Sequence, residues 1–296
     1  MIYCSQSEQI VSSTDTPAAS WLGVQALHEK DEGLPHTRTV ARALELLDCI
    51  ADAKVPLSVV ELARLIGASR STAYRLLRTL SAHGYVSDSF SDSDKVQIGP
   101  KVLKLATSFY DHFGIRVIAR PHLIALRDRS GETIHLVVPY DGRVLHIDRV
   151  ETLNPVRMYS PIGALEGMHC TSVGKAILAA LPDVEVDAIL RHFGLPALTA
   201  NTITDPDTFR THLRTVRAQG YAIVEGEDID GFNAVGVAIV PYSGPPVGAI
   251  SISAPAYRFS VQRMWALVPD LKKAAEQILQ QMNLRGPHLE EQDPNG

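Results

Sequence analysis

A chain of 296 residues with 45% hydrophobic content is long enough to bury a sizeable core and to divide into two domains. No run approaches the roughly 20 apolar residues that span a bilayer, and no basic segment leads into an apolar one near the start, so a cytoplasmic protein without membrane contact is expected. The scattered cysteines Cys4, Cys49 and Cys170 exclude a disulfide framework and a thiolate zinc site, and a net charge of −5 excludes a chain that coats nucleic acid along its whole length.

Residues 1–36 are rich in Ser, Thr, Gln and Pro with weak periodicity, and are expected to form a disordered tail. Residues 39–51 read as a helix with Val40, Leu44, Leu47 and Ala51 on one stripe. A second helix starts at Ser58, where Glu61 three residues on completes a capping box, and carries Leu62, Leu65 and Ile66 to a turn at Gly67. A third is expected over residues 69–83, with Ala73, Leu76, Leu77 and Leu80 inward and Gly84 at its end. Its outer face, with Ser69, Arg70, Ser71, Thr72, Tyr74, Arg75 and Arg78, has the composition of a helix that meets base edges while neighbouring cations hold phosphates. Residues 85–98 read as two strands around a polar turn that is acidic apart from Lys95. Helix, helix-turn-helix and wing make residues 37–98 a candidate DNA-binding domain with Lys95 as its wing cation. Residues 36–104 hold ten Lys and Arg against seven Asp and Glu, a local excess of +3 on an acidic chain.

After Gly99-Pro100, the spacing of Val102, Ala106, Phe109 and Phe113 predicts a linker helix that ends at Gly114, within a linker region of residues 99–114. The body, residues 115–283, alternates periods: a helix over 118–130, strands over 133–140 and 144–151 around the turn Asp141-Gly142, a third short strand over 155–160, and helices over 171–181 and 185–192. Asp205-Pro206 opens a helix that runs to residue 219, strands follow over 221–225, 235–240 and 247–254, and a helix over 260–282 closes the domain. Hairpins outnumber crossovers, so the fold class is α+β with a largely antiparallel sheet. Residues 284–296 have no core-forming pattern and are expected to be a second tail.

Catalytic patterns in the body fail on particular residues. The segment from Cys170 to Gly174 lacks the leading Gly of a nucleophile elbow, and the segment ending in Lys175-Ala176 lacks both the first Gly and the final Ser or Thr of a phosphate loop. His135 and His146 could meet on neighbouring strands, but a metal would need a third ligand, so they read as core or surface histidines. Asp148, Arg149 and Glu151 read as a solvated strand end, and Arg210, Arg214 and Arg217 as a solvated helix face. Catalytic residues, metal and cofactor are therefore expected to be none. The start of the helix at Thr171 instead suits a ligand carboxylate, which its free N–H groups and positive end can hold without a catalytic side chain. Ser251 and Ser253, two apart on a strand, face one side together.

Several segments carry a resemblance. They are residues 39–47 and 71–80, Gly131-Glu132-Thr133, residues 168–176 (Met-His-Cys-Thr-Ser-Val-Gly-Lys-Ala), Thr202-Ile203-Thr204-Asp205, Gly220-Tyr221-Ala222 and residues 251–254. In this order and at these separations they resemble the IclR family of transcriptional regulators over more than four fifths of the chain. The resemblance implies a winged helix-turn-helix, a linker helix and a GAF-like effector-binding domain, assembled as homodimers that pair into tetramers. It implies an operator in double-stranded DNA whose binding a small organic acid controls. Carried over position by position, it places Ser172, Val173, Val224, Phe232, Ala234, Ser251 and Ser253 around the effector. Val224 and Ala234 stand where the family often has an acidic residue and a cysteine, which implies a bulky or aromatic carboxylate, with Phe232 against a ring, unless Glu225 or Glu227 substitutes for the missing acid. On the residues alone, an enzyme with an appended helix-turn-helix and a ligand-binding scaffold without DNA binding remain open.

Overall fold

A computed structural model describes residues 37–53, 55–87, 95–111 and 114–285. Residues 1–36, the wing turn at 88–94, Phe113 of the linker stripe and residues 286–296 lie outside the described residues, while Leu284 and Arg285, expected in the second tail, end the last helix. The chain divides into two compact units, with the division between Gly114 and Ile115.

In the first unit, α1 (Arg38–Asp52), β1 (Leu57–Ser58), α2 (Val59–Leu65) and α3 (Arg70–Ala82) are followed by β2 (Lys95–Val96) and α4 (Lys101–Asp111). The capping box forms: the Ser58 N–H donates to Glu61 at 2.7 Å and the Glu61 N–H to Ser58 Oγ at 3.3 Å. Leu46, Ile50, Leu62, Ala63, Ala73, Leu77, Val86 and Val96 make one core. The stripe expected on α1 is displaced. Val40 and Leu44 are exposed, as is Ala51, while Leu46 and Ile50 point inward and Leu47 packs against the core from the edge of the stripe; the buried face is rotated by about one residue from the one that spacing indicated. Leu65 is likewise exposed. In the wing, β2 lies antiparallel to β1, and on its other side the described residues of the expected hairpin do pair: Val86 bridges Ile98, the Ser87 N–H donates to the Gln97 carbonyl at 2.9 Å and the Gly99 N–H to that of Tyr85 at 2.7 Å.

The second unit contains α5 (Ile115–Ser130), β3 (Thr133–Tyr140), β4 (Arg143–Val150), β5 (Leu165–Glu166), α6 (Ser172–Ala180), α7 (Asp183–Phe193), α8 (Pro206–Gln219), β6 (Ala222–Glu225), β7 (Phe232–Ile239), β8 (Gly248–Pro255) and α9 (Val261–Arg285). The six strands form one antiparallel sheet in the order β5-β4-β3-β8-β7-β6. At the β3–β4 turn both Asp141 and Gly142 have positive φ, as a two-residue hairpin requires. β8 is buried along its whole length: Ile250 and Ile252 alternate with Ser251 and Ser253, so the two hydroxyls share one face. On that face Val137, Ala222 and Ala249 pack against α6, α7 and α8, while α5 and α9 contact the strands and each other.

Three expectations change here. Residues 155–160 form no strand; β5 pairs with β4 instead, and the segment is held by Arg149, which donates to the Ser160 carbonyl at 2.7 Å, and Arg258, which donates to that of Val156 at 2.8 Å. Asp148 is buried rather than solvated, because Arg120 and Arg116 of α5 converge on its carboxylate. Arg217 is half-exposed but donates to the carbonyls of Ala179 and Leu181, closing the C-terminal end of α6.

Helix α6 is buried on all but its last residue. It sits that deep because two glycines permit it: a Cβ at Gly174 would lie 2.3 Å from the Met168 backbone, and one at Gly236 on β7 would lie 2.8 Å from the Ser172 carbonyl carbon. The helix carries Lys175 inward to a complete burial, where the ammonium donates to both oxygens of Glu227 in the β6–β7 loop. Thr202 donates to the Glu227 carbonyl at 2.7 Å and Thr199 to that of Gly226 at 2.7 Å, so the loop is pinned from two directions. Lys175→Met leaves a buried carboxylate without its counter-ion, and thermal unfolding should report a loss of about 3–5 kcal/mol. The double change with Glu227→Leu, which removes both charges, should recover most of it; equal melting of the parent and the single variant would contradict the assignment.

Candidate functional site

Two groups of residues concern function. On α3, Ser69 is the N-cap and accepts from the Thr72 N–H at 3.2 Å, and its hydroxyl also bonds those of Ser71 and Thr72. Arg70, Ser71, Tyr74, Arg75 and Arg78 are exposed along the same helix while Ala73 and Leu77 are buried behind them. Among the described residues no ion pair engages Arg70, Arg75 or Arg78. Lys95 is exposed on β2 opposite Ser58.

The second group lies at the start of α6. Register sets two rows across the sheet: Val224, Ala234, Ser253 and Thr133 on β6, β7, β8 and β3, and Ala222, Gly236, Ser251 and His135 one step along. Ser172 and Val173 in the first turn of α6 stand over them, and Phe232 enters from the start of β7. All seven residues expected around an effector line one cleft. Of the first-turn amides of α6, the N–H of Gly174 is satisfied by the Thr171 hydroxyl at 3.1 Å. Those of Ser172 and Val173 precede any intrahelical acceptor and point with the positive helix end.

Sequence reasoning missed most of the cleft's polar wall. His135 and His146 are buried, meet edge to face at 5.4 Å, and line the cleft with Met158, Ser160, Glu166, Cys170, Asp228, Ile229 and Asn233. His135 Nε2 is 2.9 Å from Ser253 Oγ, and His146 Nε2 is 2.9 Å from a Glu166 oxygen. Nδ1 of each ring is buried without a hydrogen-bond partner among the described residues. The alternation on β3 and β4 signalled that the two histidines share a face; nothing local signalled Glu166 or Asp228. Neither Glu225, which is exposed, nor Glu227, which pairs with Lys175, replaces the acid expected near Val224.

Burial pushes the His135 pKa down to about 3, with the charge of His146 adding to it, so the ring is neutral at physiological pH. Burial works to raise Glu166, but the hydrogen bond and charge of His146 prevail and hold it below the usual carboxylate value. Asp228 is raised by burial and by the Glu166 charge. Burial, then the Asp228 carboxylate, raises the Cys170 thiol well above its ordinary value, so it is no thiolate nucleophile. Among the described residues, no three His, Cys, Asp or Glu are arranged to hold a metal ion.

The description "IclR helix-turn-helix domain" matches residues 39–88, and "Bacterial transcriptional regulator IclR C-terminal" matches residues 107–280. The chain belongs to the IclR family. It is 32% identical to the HTH-type transcriptional regulator BhcR of Paracoccus denitrificans, over 81% of this chain and 86% of that one. Identity to the transcriptional repressor IclR of Escherichia coli is 31%, over 81% of this chain and 88% of that one. The crystal structure of the Thermotoga maritima IclR superposes with a TM-score of 0.73 at 32% identity and covers 83% of this chain and 99% of that one. These relatives are named as regulators and repressors, and the IclR-family chain described here is likewise a DNA-binding transcriptional regulator, not an enzyme. No helix among the described residues is long and apolar enough to cross a membrane.

The buried histidine gives a pH test. Because His135 has a folded pKa far below its ordinary value of 6.5, the unfolded state binds the extra proton as pH falls through 6.5, and stability declines from there towards about 3. Carboxylate contributions enter only lower, as pH approaches their own range. His135→Gln, which keeps a partner for Ser253, should therefore lessen the slope of the stability profile between pH 6.5 and 5, measured by urea unfolding, the remainder coming from His212, whose pKa burial likewise pushes down to about 4; a slope equal to the parent's would show that His135 titrates normally.

Proposed function

We propose that the chain is a one-component regulator in which α3 reads an operator and a small organic acid in the α6 cleft controls operator affinity. The observation that carries this reading is the convergence of Ser172, Val173, Val224, Phe232, Ala234, Ser251 and Ser253 on one cleft that also holds two buried, unpartnered imidazole nitrogens. The acid group lies against the amides of Ser172 and Val173, where a carboxylate gains oriented donors and the positive helix end. Ser251 and Ser253 fix the rest of the molecule. Phe232, Ile229, Met158 and Val224 give an apolar side suited to a ring or other bulky group. Glu166 and Asp228 disfavour a second acid group on the ligand and accept from a hydroxyl or amino group instead.

Residues 37–98 act as the DNA-binding domain, 99–114 as the linker and 115–283 as the effector domain of a cytoplasmic protein. Ser69, Arg70, Ser71, Thr72, Tyr74, Arg75 and Arg78 make the DNA contacts, with Lys95 at the wing. The chain works as a homodimer or tetramer on two half-sites. A single domain with a small positive excess neutralises few phosphates, and α4 leaves Leu103 and Leu105 exposed for a partner. The effector then acts by binding the DNA-competent and incompetent states of the assembly unequally.

The operator reading predicts that Arg70→Ala with Arg75→Ala costs about 1–3 kcal/mol per base-reading contact and relaxes sequence preference in a gel shift on the upstream DNA. Binding as tight as the parent's would remove α3 from the interface. The cleft reading predicts that Ser253→Ala weakens the effector and that Ala234→Leu excludes it, both with effector-free operator binding nearly unchanged. Calorimetry with a panel of single-ring and short-chain carboxylates beside their amides reads this directly; unchanged affinity in both variants would move the ligand elsewhere, and any converted product would return the protein to the enzymes.

A further inference from the structure

A second cavity is lined by residues 167–169, the start of the segment whose next residues, Cys170 and Thr171, line the first cleft. Its other walls are the β3–β4 turn, Leu178 of α6, and Ile189, Leu190 and Phe193 of α7, around a cavity of about 120 Å³. That approaches the roughly 150 Å³ of an engineered apolar cavity that takes up benzene. The lining is almost wholly apolar. Gly142 holds the hairpin turn against Phe193, since a Cβ there would lie 2.4 Å from Phe193 Cε2.

One charged side chain faces this cavity. The Arg143 guanidinium stands 5.8 Å from the Phe193 ring centroid; its Nε is buried with no hydrogen-bond partner, and among the described residues it forms no ion pair. The other ionisable group in the wall, His169, is engaged through Nε2 with the Pro196 carbonyl at 2.9 Å. No Asp or Glu lines the cavity. In this it is the opposite of the effector cleft, whose wall carries Glu166 and Asp228. A buried guanidinium nitrogen without an acceptor is unfavourable, and an anion with an apolar body satisfies it while filling the rest of the space.

We propose that this cavity is a second ligand site, specific for an amphiphilic monocarboxylate whose acid group pairs with Arg143 and whose ring or short chain lies against Phe193, Ile189 and Leu178. Such a ligand is coupled to the first cleft through the segment from Gly167 to Thr171. The Gly167 carbonyl accepts from the Thr171 hydroxyl at 3.1 Å, and that hydroxyl caps α6 at Gly174. A molecule bound against residues 167–169 therefore acts on the residue that positions the first-turn amides of the effector cleft.

The probe is 4-fluorobenzoate, with 4-fluorobenzamide as its neutral counterpart, followed by fluorine NMR and calorimetry on the full chain. In an Ala234→Leu background, which fills the first cleft, the acid should still bind at one site per chain. Arg143→Gln should weaken it by about tenfold or more, Arg143→Lys should retain it within about threefold, and the amide should bind far more weakly. Binding that is indifferent to Arg143→Gln, or no binding of the acid in the Ala234→Leu chain, would overturn the proposal. The effector-cleft reading fails separately: Ala234→Leu and Ser253→Ala would then be silent towards every acid while Arg143→Gln still acted.

Discussion

The effector-domain half of this protein depends on how closely the first turn of α6 approaches β7. Gly236 removes the side chain that would hold helix and sheet apart, Gly174 removes the one that would hold the helix off the Met168 backbone, and the helix settles almost fully buried with its N-terminus over the floor of the cleft. That one approach decides three things. It puts the free amides of Ser172 and Val173 above the row of Val224, Ala234 and Ser253; it buries Lys175; and it sets the segment from Gly167 to Thr171 where its first three residues line one cavity and its last two the other. A larger residue at either glycine must displace backbone, which is far stiffer than a side-chain tip.

Around that helix the irregular segments are held by buried or half-buried charge. Lys175 fixes the β6–β7 loop through Glu227, and the same loop delivers Asp228 and Ile229 to the cleft. Arg149 and Arg258 hold the segment that delivers Met158 and Ser160, and Arg258 is itself clamped on the buried Glu132 through two contacts of 2.9 Å. Such pairs add little net stability over apolar substitutes but are costly to break singly. Their effect here is positional, since the segment that supplies Met158 and Ser160 and the loop that supplies Asp228 and Ile229 are each held by a charged side chain.

The elements that the sequence revealed are those with local causes. The capping box at Ser58, the N-cap at Ser69 and the Asp205-Pro206 start each satisfy backbone groups with neighbours three residues away, so short-range pattern sufficed. The same holds for the Asp141-Gly142 turn and for the alternation on β8. On α1, the burial of Leu46 and Ile50 over Val40 and Leu44 was set by what packs against it. The expected strand at 155–160 failed because its backbone finds arginine donors instead of a ladder.

The amino-acid sequence by itself determined the order of helices and hairpins, the exposed cations of α3, the shared face of Ser251 and Ser253, and membership of a regulator family. Only the tertiary structure decided the polarity of the cleft. Glu166, Asp228 and the paired histidines come from β5, the β6–β7 loop, β3 and β4, segments up to 93 positions apart between His135 and Asp228, and no local rule links them. The position of Arg143 is of the same kind. On the chain it is an ordinary strand residue after a turn; only the packing of α7 against that turn removes its acceptors and leaves a buried donor facing an apolar cavity. Covalent neighbours set dihedral angles and periodicity, whereas burial and charge environment arise from groups that meet only when distant segments pack.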